Sequence, residues 1–205
     1  PGSLSLILPT LFEKLGCEVI PGEMIREDAV NRPRTLQELL NALSRVEELT
    51  RQHRADLGII VDHNAERLIL LDENGDLLKE EQFMALLAYY VFKYQPEASI
   101  PAPVTAPHVL EALAKEFRGR VIRTKVNPRS LMEREAEERL FPTLSGESSY
   151  HPQFDAVFSL VKILELLARE NLTLAGAKLL IPDVPRRYQE VDCPWEHKGR
   201  IMRNL

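Results

Sequence analysis

No apolar run in this sequence approaches the roughly 20 residues that a membrane-spanning helix needs. The basic, apolar and small-residue succession of a secretory signal is also missing. Together these absences point away from a membrane and toward the cytoplasm. Positive charge is in short supply, with 26 Lys and Arg against 31 Asp and Glu for a net charge of −5. That balance argues against nucleic acid or an acidic membrane surface as the main partner. Cysteine is scarce, and Cys17 and Cys193, far apart in an acidic chain, read as reduced thiols rather than a disulfide. Cys193 and His197 make only half of a zinc ligand set, with no second pair nearby, so they read as ordinary residues. What the chain does have is 44% hydrophobic residues over 205 positions, enough to bury one large core or two small ones.

The apolar spacing divides these residues into alternating helices and strands. Leu8, Leu11, Phe12 and Leu15 recur at helical spacing up to Gly16, and Cys17–Ile20 reads as a strand. Thr35 followed by Glu38 is a capping box ahead of a long helix to about Arg54. Two short apolar runs, Leu57–Val61 and Leu68–Leu71, read as strands, with a tight turn at Asn74-Gly75 after the second. Residues 80–95 carry an aromatic and aliphatic stripe (Phe83, Leu86, Leu87, Tyr90, Val91, Tyr94) that reads as core. A strand over 98–105 contains Pro101 and Pro103, which places it at an edge or ends it early. A helix over 107–117, a strand over 120–126, a charged helix over 130–140, an apolar helix over 155–169 and a short element over 172–181 complete the order. Such alternation predicts an α/β fold of parallel or mixed sheets packed by helices.

Between the runs ending at Val61 and starting at Leu68, oxygen-bearing side chains fall at alternate positions: Asp62, Asn64 and Glu66. Alternation in an extended loop turns side chains the same way, as a hard-cation site requires. The segment Asp62-His63-Asn64-Ala65-Glu66-Arg67, following Ala55-Asp56-Leu57-Gly58, resembles the metal loop of the α-D-phosphohexomutases, the phosphomannomutase/phosphoglucomutase family. That family carries Asp-Gly-Asp-Ala-Asp-Arg here, so the first Asp, the Ala and the Arg match, while Gly has become His63 and two Asp have become Asn64 and Glu66. Gly146-Glu147-Ser148-Ser149-Tyr150-His151 resembles the family's Gly-Glu-x-Ser-Gly-His sugar loop, with Tyr150 in place of the second Gly. A carboxylate that accepts from vicinal hydroxyls beside a hydroxyl that donates or accepts suits a sugar. Arg123-Thr124 resembles a third family segment, and Cys193–Arg203 resembles the entry to a fourth domain in a subgroup fused to a nucleotidyltransferase of the mannose-1-phosphate guanylyltransferase type.

The resemblance implies two consecutive phosphohexomutase-like α-β-α domains with mixed sheets: residues 1–77 as domain II with the altered metal loop, 78–182 as domain III with the sugar loop, and 183–205 as a linker and the start of a fourth domain. The chain then reads as part of a longer protein, whose further domains would be its partners. The metal set would be Asp62, Asn64 and Glu66, and the cation Mg²⁺. The sugar contacts would be Glu147 and Ser149, with Arg67, His151 and Arg123 in support. The ligand would be a hexose phosphate, mannose or glucose 1- or 6-phosphate. Phosphoryl transfer rests on positioning and electrostatics, so two negative charges in place of three weaken a Mg²⁺ centre, and the longer Glu66 suits near-octahedral Mg²⁺ poorly. Neither a Thr-x-Ser-His-Asn-Pro nucleophile loop nor an Arg-x-Ser-Gly-Thr phosphate clamp occurs, so no catalytic residue of the family falls in this chain. Three readings stay open: a non-catalytic or impaired sugar-phosphate-binding module, a pseudoenzyme; the middle domains of an active mutase whose phosphoserine lies elsewhere; and a structural domain without a ligand.

Overall fold

A computed structural model describes residues 4–22, 32–138, 155–182 and 192–204. Helix α1 (Leu4–Lys14) ends in a Schellman closure. Cys17 N donates to Phe12 O at 2.9 Å, Gly16 N donates to Glu13 O at 3.0 Å, and Gly16 sits at φ +84°. Cys17–Ile20, expected as a strand, is a correction: it has no ladder partner among the described residues. Helix α2 (Leu36–His53) starts as its sequence predicts, with Glu38 N donating to Thr35 Oγ1 and Thr35 N donating to the Glu38 carboxylate.

Strands β1 (Gly58–Val61) and β2 (Leu68–Leu71) form an antiparallel pair in the register Gly58 with Leu71 and Val61 with Leu68. Helix α2 lies against this pair so closely that a Cβ on Gly58 would come within 2.6 Å of Thr50 Oγ1 and 2.8 Å of Val46 Cγ1. The turn after β2 closes with Gly75 N donating to Asp72 O at 2.8 Å, and Leu78 N returns to Leu70 O at 2.8 Å.

Helix α3 (Glu80–Tyr94) is apolar around its whole circumference, and residues 85–92 are all buried. A helix of that pattern belongs in the middle of a core, and α3 packs on α4 (Val109–Glu116), α6 (Ala156–Glu170) and α7 (Leu174–Lys178). Each fully buried large side chain there, Phe92, Leu86, Leu160 or Ile163, contributes about 1.5–3 kcal/mol of transfer free energy. Strands β3 (Ser99–Pro103) and β4 (Arg120–Thr124) pair in parallel, joined through α4 as a β-α-β unit. Pro101 and Pro103 lack donors, and among the described residues β3 pairs on one side only. Gly119 is required just before β4, because a Cβ there would meet Phe92 Cε1 at 2.4 Å and Ala98 O at 2.9 Å. Helix α5 (Pro128–Glu138) covers β3 and β4 and carries exposed pairs, Arg129 with Glu133 and Arg134 with Glu137. Helix α8 (Trp195–Asn204) is exposed over residues 195–201, with Lys198 over the Trp195 ring. The result is an α/β fold, with one antiparallel and one parallel strand pair among the described residues. No helix among the described residues is long and apolar enough to cross a membrane.

Candidate functional site

The β1–β2 connection holds three of the residues singled out by spacing. Asp62 N donates to Arg67 O at 3.1 Å, which carries the hairpin ladder one step beyond Val61–Leu68. The Asp62 side chain then turns back over its own loop: Oδ1 accepts from Glu66 N at 2.8 Å and from Arg67 N at 3.0 Å. Aspartate does this readily, because its short carboxylate reaches amides a few residues on. Ala65 N donates to Asp62 O at 3.4 Å, and Ala65 itself sits at φ +63°, a conformation an alanine adopts only when its surroundings impose it. Arg34 braces the start of the loop from outside, with Nη1 donating to Val61 O at 2.9 Å. Asp62 and His63 are half-buried, whereas Asn64, Glu66 and Arg67 are exposed.

The loop is also docked on the second half of the chain. Ala156 N, the first amide of α6, donates to Ala65 O at 2.8 Å. Asp155 caps the same helix end, its Oδ1 accepting from Phe158 N at 2.9 Å, in the role its position before an apolar helix predicts. Just beyond β2, Asp72 is buried at 1% exposure and pairs with Lys178 of α7. Its other oxygen accepts from Asn74 N at 2.9 Å and Asp76 N at 3.0 Å. Burial pushes the Asp72 carboxyl up, but Lys178 and the two amides outweigh it and hold it below the usual range. Glu73 adds a second tie, its Oε2 accepting from Ala175 N at 3.2 Å. Burial raises Glu73 too, and bonds from Thr173 and Ala175 bring its net shift downward.

Arg123, expected to support the sugar site, is wholly engaged in structure. Nε and Nη2 donate to the two carboxylate oxygens of Glu111 at 2.8 Å each, and Nη1 donates to Pro103 O and Ala106 O at 2.9 Å. It thereby pins the β3–α4 loop to β4 instead of offering a free cation. Glu147, Ser149 and His151, together with the whole Gly146–His151 motif, lie outside the described residues.

The Asp62–Glu66 loop offers a divalent cation less charge than three carboxylates would: Asp62 Oδ1 accepts from two amides, Asn64 brings a carboxamide, and Asn64 and Glu66 are solvent-exposed. Among the described residues no group of three or more His, Cys, Asp or Glu could hold a metal ion. Sequence spacing could not reveal that Asp62 is engaged by its own loop. Nor could it reveal the Asp72–Lys178 and Glu73–Ala175 ties, whose partners lie more than a hundred residues apart.

Residues 79–180 match the family model for phosphoglucomutase/phosphomannomutase, alpha/beta/alpha domain III. The phosphoglucosamine mutase of Geotalea uraniireducens is 31% identical over 191 residues, covering 88% of this chain and 41% of that protein. The phosphoglucosamine mutase of Geobacter metallireducens is 30% identical over 191 residues, with the same shares of 88% and 41%. This chain thus spans about two fifths of the length of these relatives. In three dimensions it is similar to a phosphoglucomutase/phosphomannomutase family protein from Burkholderia thailandensis, with a TM-score of 0.67 at 22% identity over 89% of this chain and 41% of that one. A domain III match that contains both Arg123 and the Gly146–His151 motif, alongside relatives that align across most of the chain, supports the α-D-phosphohexomutase family, and the chain is phosphohexomutase-like.

Proposed function

We propose that this chain is the sugar-phosphate-binding part of a phosphohexomutase-like protein of hexose-phosphate metabolism, and that its own metal loop is not a catalytic centre. Residues 1–77 would correspond to the family's second domain, 78–182 to its third, and 183–205 to the passage toward a fourth. Glu147 and Ser149 would bind the sugar hydroxyls, with His151 beside them. The names of the relatives add glucosamine phosphate to mannose and glucose phosphates as ligands to test. The observation that carries the reading is the closed Asp62 turn. A carboxylate oxygen that already accepts from Glu66 N and Arg67 N is an internal acceptor, and its neighbours Asn64 and Glu66 point to two charges instead of three. The residues of this chain then bind and orient a ligand, and phosphoryl transfer belongs to groups outside it. Titration with Mg²⁺ or Mn²⁺ followed by NMR tests this: the account predicts no saturable shift at Asp62 and Glu66 up to millimolar ion. Saturation at or below millimolar concentration would overturn it.

The second reading, the middle domains of an active mutase, is favoured by relatives at 30–31% identity that carry mutase names. A parent protein whose phosphoserine turns over glucosamine or mannose phosphate would establish it. Fusion to a nucleotidyltransferase rests on the Cys193–Arg203 segment alone, and the sequence of the parent protein decides it.

A further inference from the structure

Among the described residues strand β1 pairs with β2 alone, and the ladder fixes which of its groups face the other way. Asp62 N donates to Arg67 O, so the antiparallel register turns the peptide groups of Gly58 and Ile60 toward β2 and those of Ile59 and Val61 away from it. The outer side of β2 obeys the same alternation, and there the Leu70 carbonyl accepts from Leu78 N. The chain thus covers the outer side of β2 itself, whereas no described strand covers that of β1. Val61 O accepts from Arg34 Nη1 at 2.9 Å, and a carbonyl oxygen has a second lone pair to offer. Natural sheet edges are blunted by charged residues, prolines or bulges. Gly58-Ile59-Ile60-Val61 carries none of these, and its register is continuous over all four residues.

Helix α2 runs along this edge. Val46 and Thr50 touch Gly58, and Arg34, just ahead of the helix, holds the outward carbonyl of Val61. The 18 residues of α2 span about 27 Å, twice the length of the strands beneath it, and Leu36 and Leu40 in its first half stay 73% and 47% exposed. A second extended segment lies under the same helix. Cys17 and Val19 pack on the core, and a Cβ on Gly22 would lie 3.4 Å from Leu49 Cδ1 and 4.0 Å from Val46 Cγ2. Cys17–Ile20 has no ladder partner either. A two-stranded pair is marginal by itself and gains from a third strand. We propose that the sheet under α2 is completed by a β-strand from outside residues 1–205, supplied by a longer protein. That strand pairs with the outward groups of Ile59 and Val61 and turns apolar side chains to Leu36 and Leu40. Its source follows from the relatives, since this chain spans only 41% of their length. The inference is independent of which ligand the protein binds.

Hydrogen exchange, measured on residues 1–205 and on the longer protein that contains them, reads the edge directly. In residues 1–205 the Ile60 amide is expected to be protected by β2, and the Ile59 and Val61 amides to exchange at least about 100-fold faster. In the longer protein the three are expected to be protected to within about tenfold of one another. Val61→Pro removes an outward amide and keeps the ladder to β2, because an edge strand accepts proline where its N–H faces away from the sheet. In residues 1–205 it should leave Ile60 protection within about threefold, and in the longer protein it should lower Ile59 protection about tenfold or more. Ile60→Pro deletes a ladder donor and is the control that loses the β1–β2 pair in both. The proposal is overturned if Ile59 and Val61 exchange as fast in the longer protein as in residues 1–205, or if they are already as slow as Ile60 in the latter. It is also overturned if Val61→Pro leaves the longer protein unchanged. Protection that rises with the concentration of residues 1–205 would assign the edge to a second copy, and a gene that encodes nothing beyond these residues would leave no strand to supply; either result overturns it.

Discussion

Replacing Lys178 by methionine would leave the Asp72 carboxylate buried at 1% exposure with its Oδ2 facing an apolar side chain. Oδ1 would keep the Asn74 and Asp76 amides, which tie it to its own turn. Removing one partner of a buried pair costs about 3–5 kcal/mol, because the remaining charge keeps its desolvation penalty without its counter-ion. The two amide bonds and the partial exposure of Lys178, 18% at its side chain, place the expected loss at the lower end, about 3 kcal/mol at pH 7. The sign of the pH dependence follows from the depressed Asp72 carboxyl. Its folded-state value lies below the unfolded one, so its contribution is present above about pH 4 and is lost as pH falls through the folded value. In Lys178→Met the carboxyl loses its cation and its folded value rises. The gap in stability between parent and variant should therefore narrow from pH 7 toward pH 3. Urea denaturation at the two pH values measures it. A loss below about 0.5 kcal/mol at pH 7, the level of an exposed pair, would refute the argument. So would an equal loss at both pH values. Asp72→Leu combined with Lys178→Met should recover much of the stability, since a well-packed apolar pair can replace a buried ion pair.

Three further outcomes follow from the same geometry. Gly119→Ala places a methyl 2.4 Å from the Phe92 ring and should cost about 1–3 kcal/mol in chemical denaturation. Arg123→Lys should destabilise nearly as much as Arg123→Met, by about 1.5–3 kcal/mol, because a lysine cannot hold Glu111 bidentately while also donating to Pro103 O and Ala106 O. NMR titration should find the Glu38 carboxyl lowered to about 2 by the Arg32 guanidinium and by the amide and hydroxyl of Thr35, so its stabilising effect is full above the ordinary value of 4.5 and is lost progressively as pH falls toward about 2. In Arg32→Ala that carboxyl should move back toward the ordinary range.

Local signals carried much of this fold. The Thr35–Glu38 box, Asp155 ahead of an apolar helix, and the turn at Asn74-Gly75 depend on residues within four positions of one another, and each lies where the sequence puts it. The strand expected at Cys17–Ile20 depends on a partner that a local pattern cannot supply, and no described strand pairs with it. The candidate site shows the same division. Alternating oxygens at 62, 64 and 66 are compatible with a cation site and equally with an Asx-closed turn. Docking of Ala65 on α6 goes with the second, and that contact joins residues 91 positions apart. Arg123 drew attention through its resemblance to a family segment, but its partner Glu111 belongs to a different element, so spacing alone could not show the ion pair.

The central claim is that this chain binds a hexose phosphate through the Glu147–His151 segment without a metal. The most direct test is a 15N-resolved titration of the chain with glucose 1-phosphate, mannose 1-phosphate and glucosamine 1-phosphate in EDTA, followed at Glu147, Ser149 and His151. The account predicts saturable shifts at these residues with at least one of the three ligands, lost in Glu147→Ala. Unchanged resonances at ligand concentrations of about 10 mM, on the order of 5.5 kcal/mol weaker than a micromolar site, would contradict it.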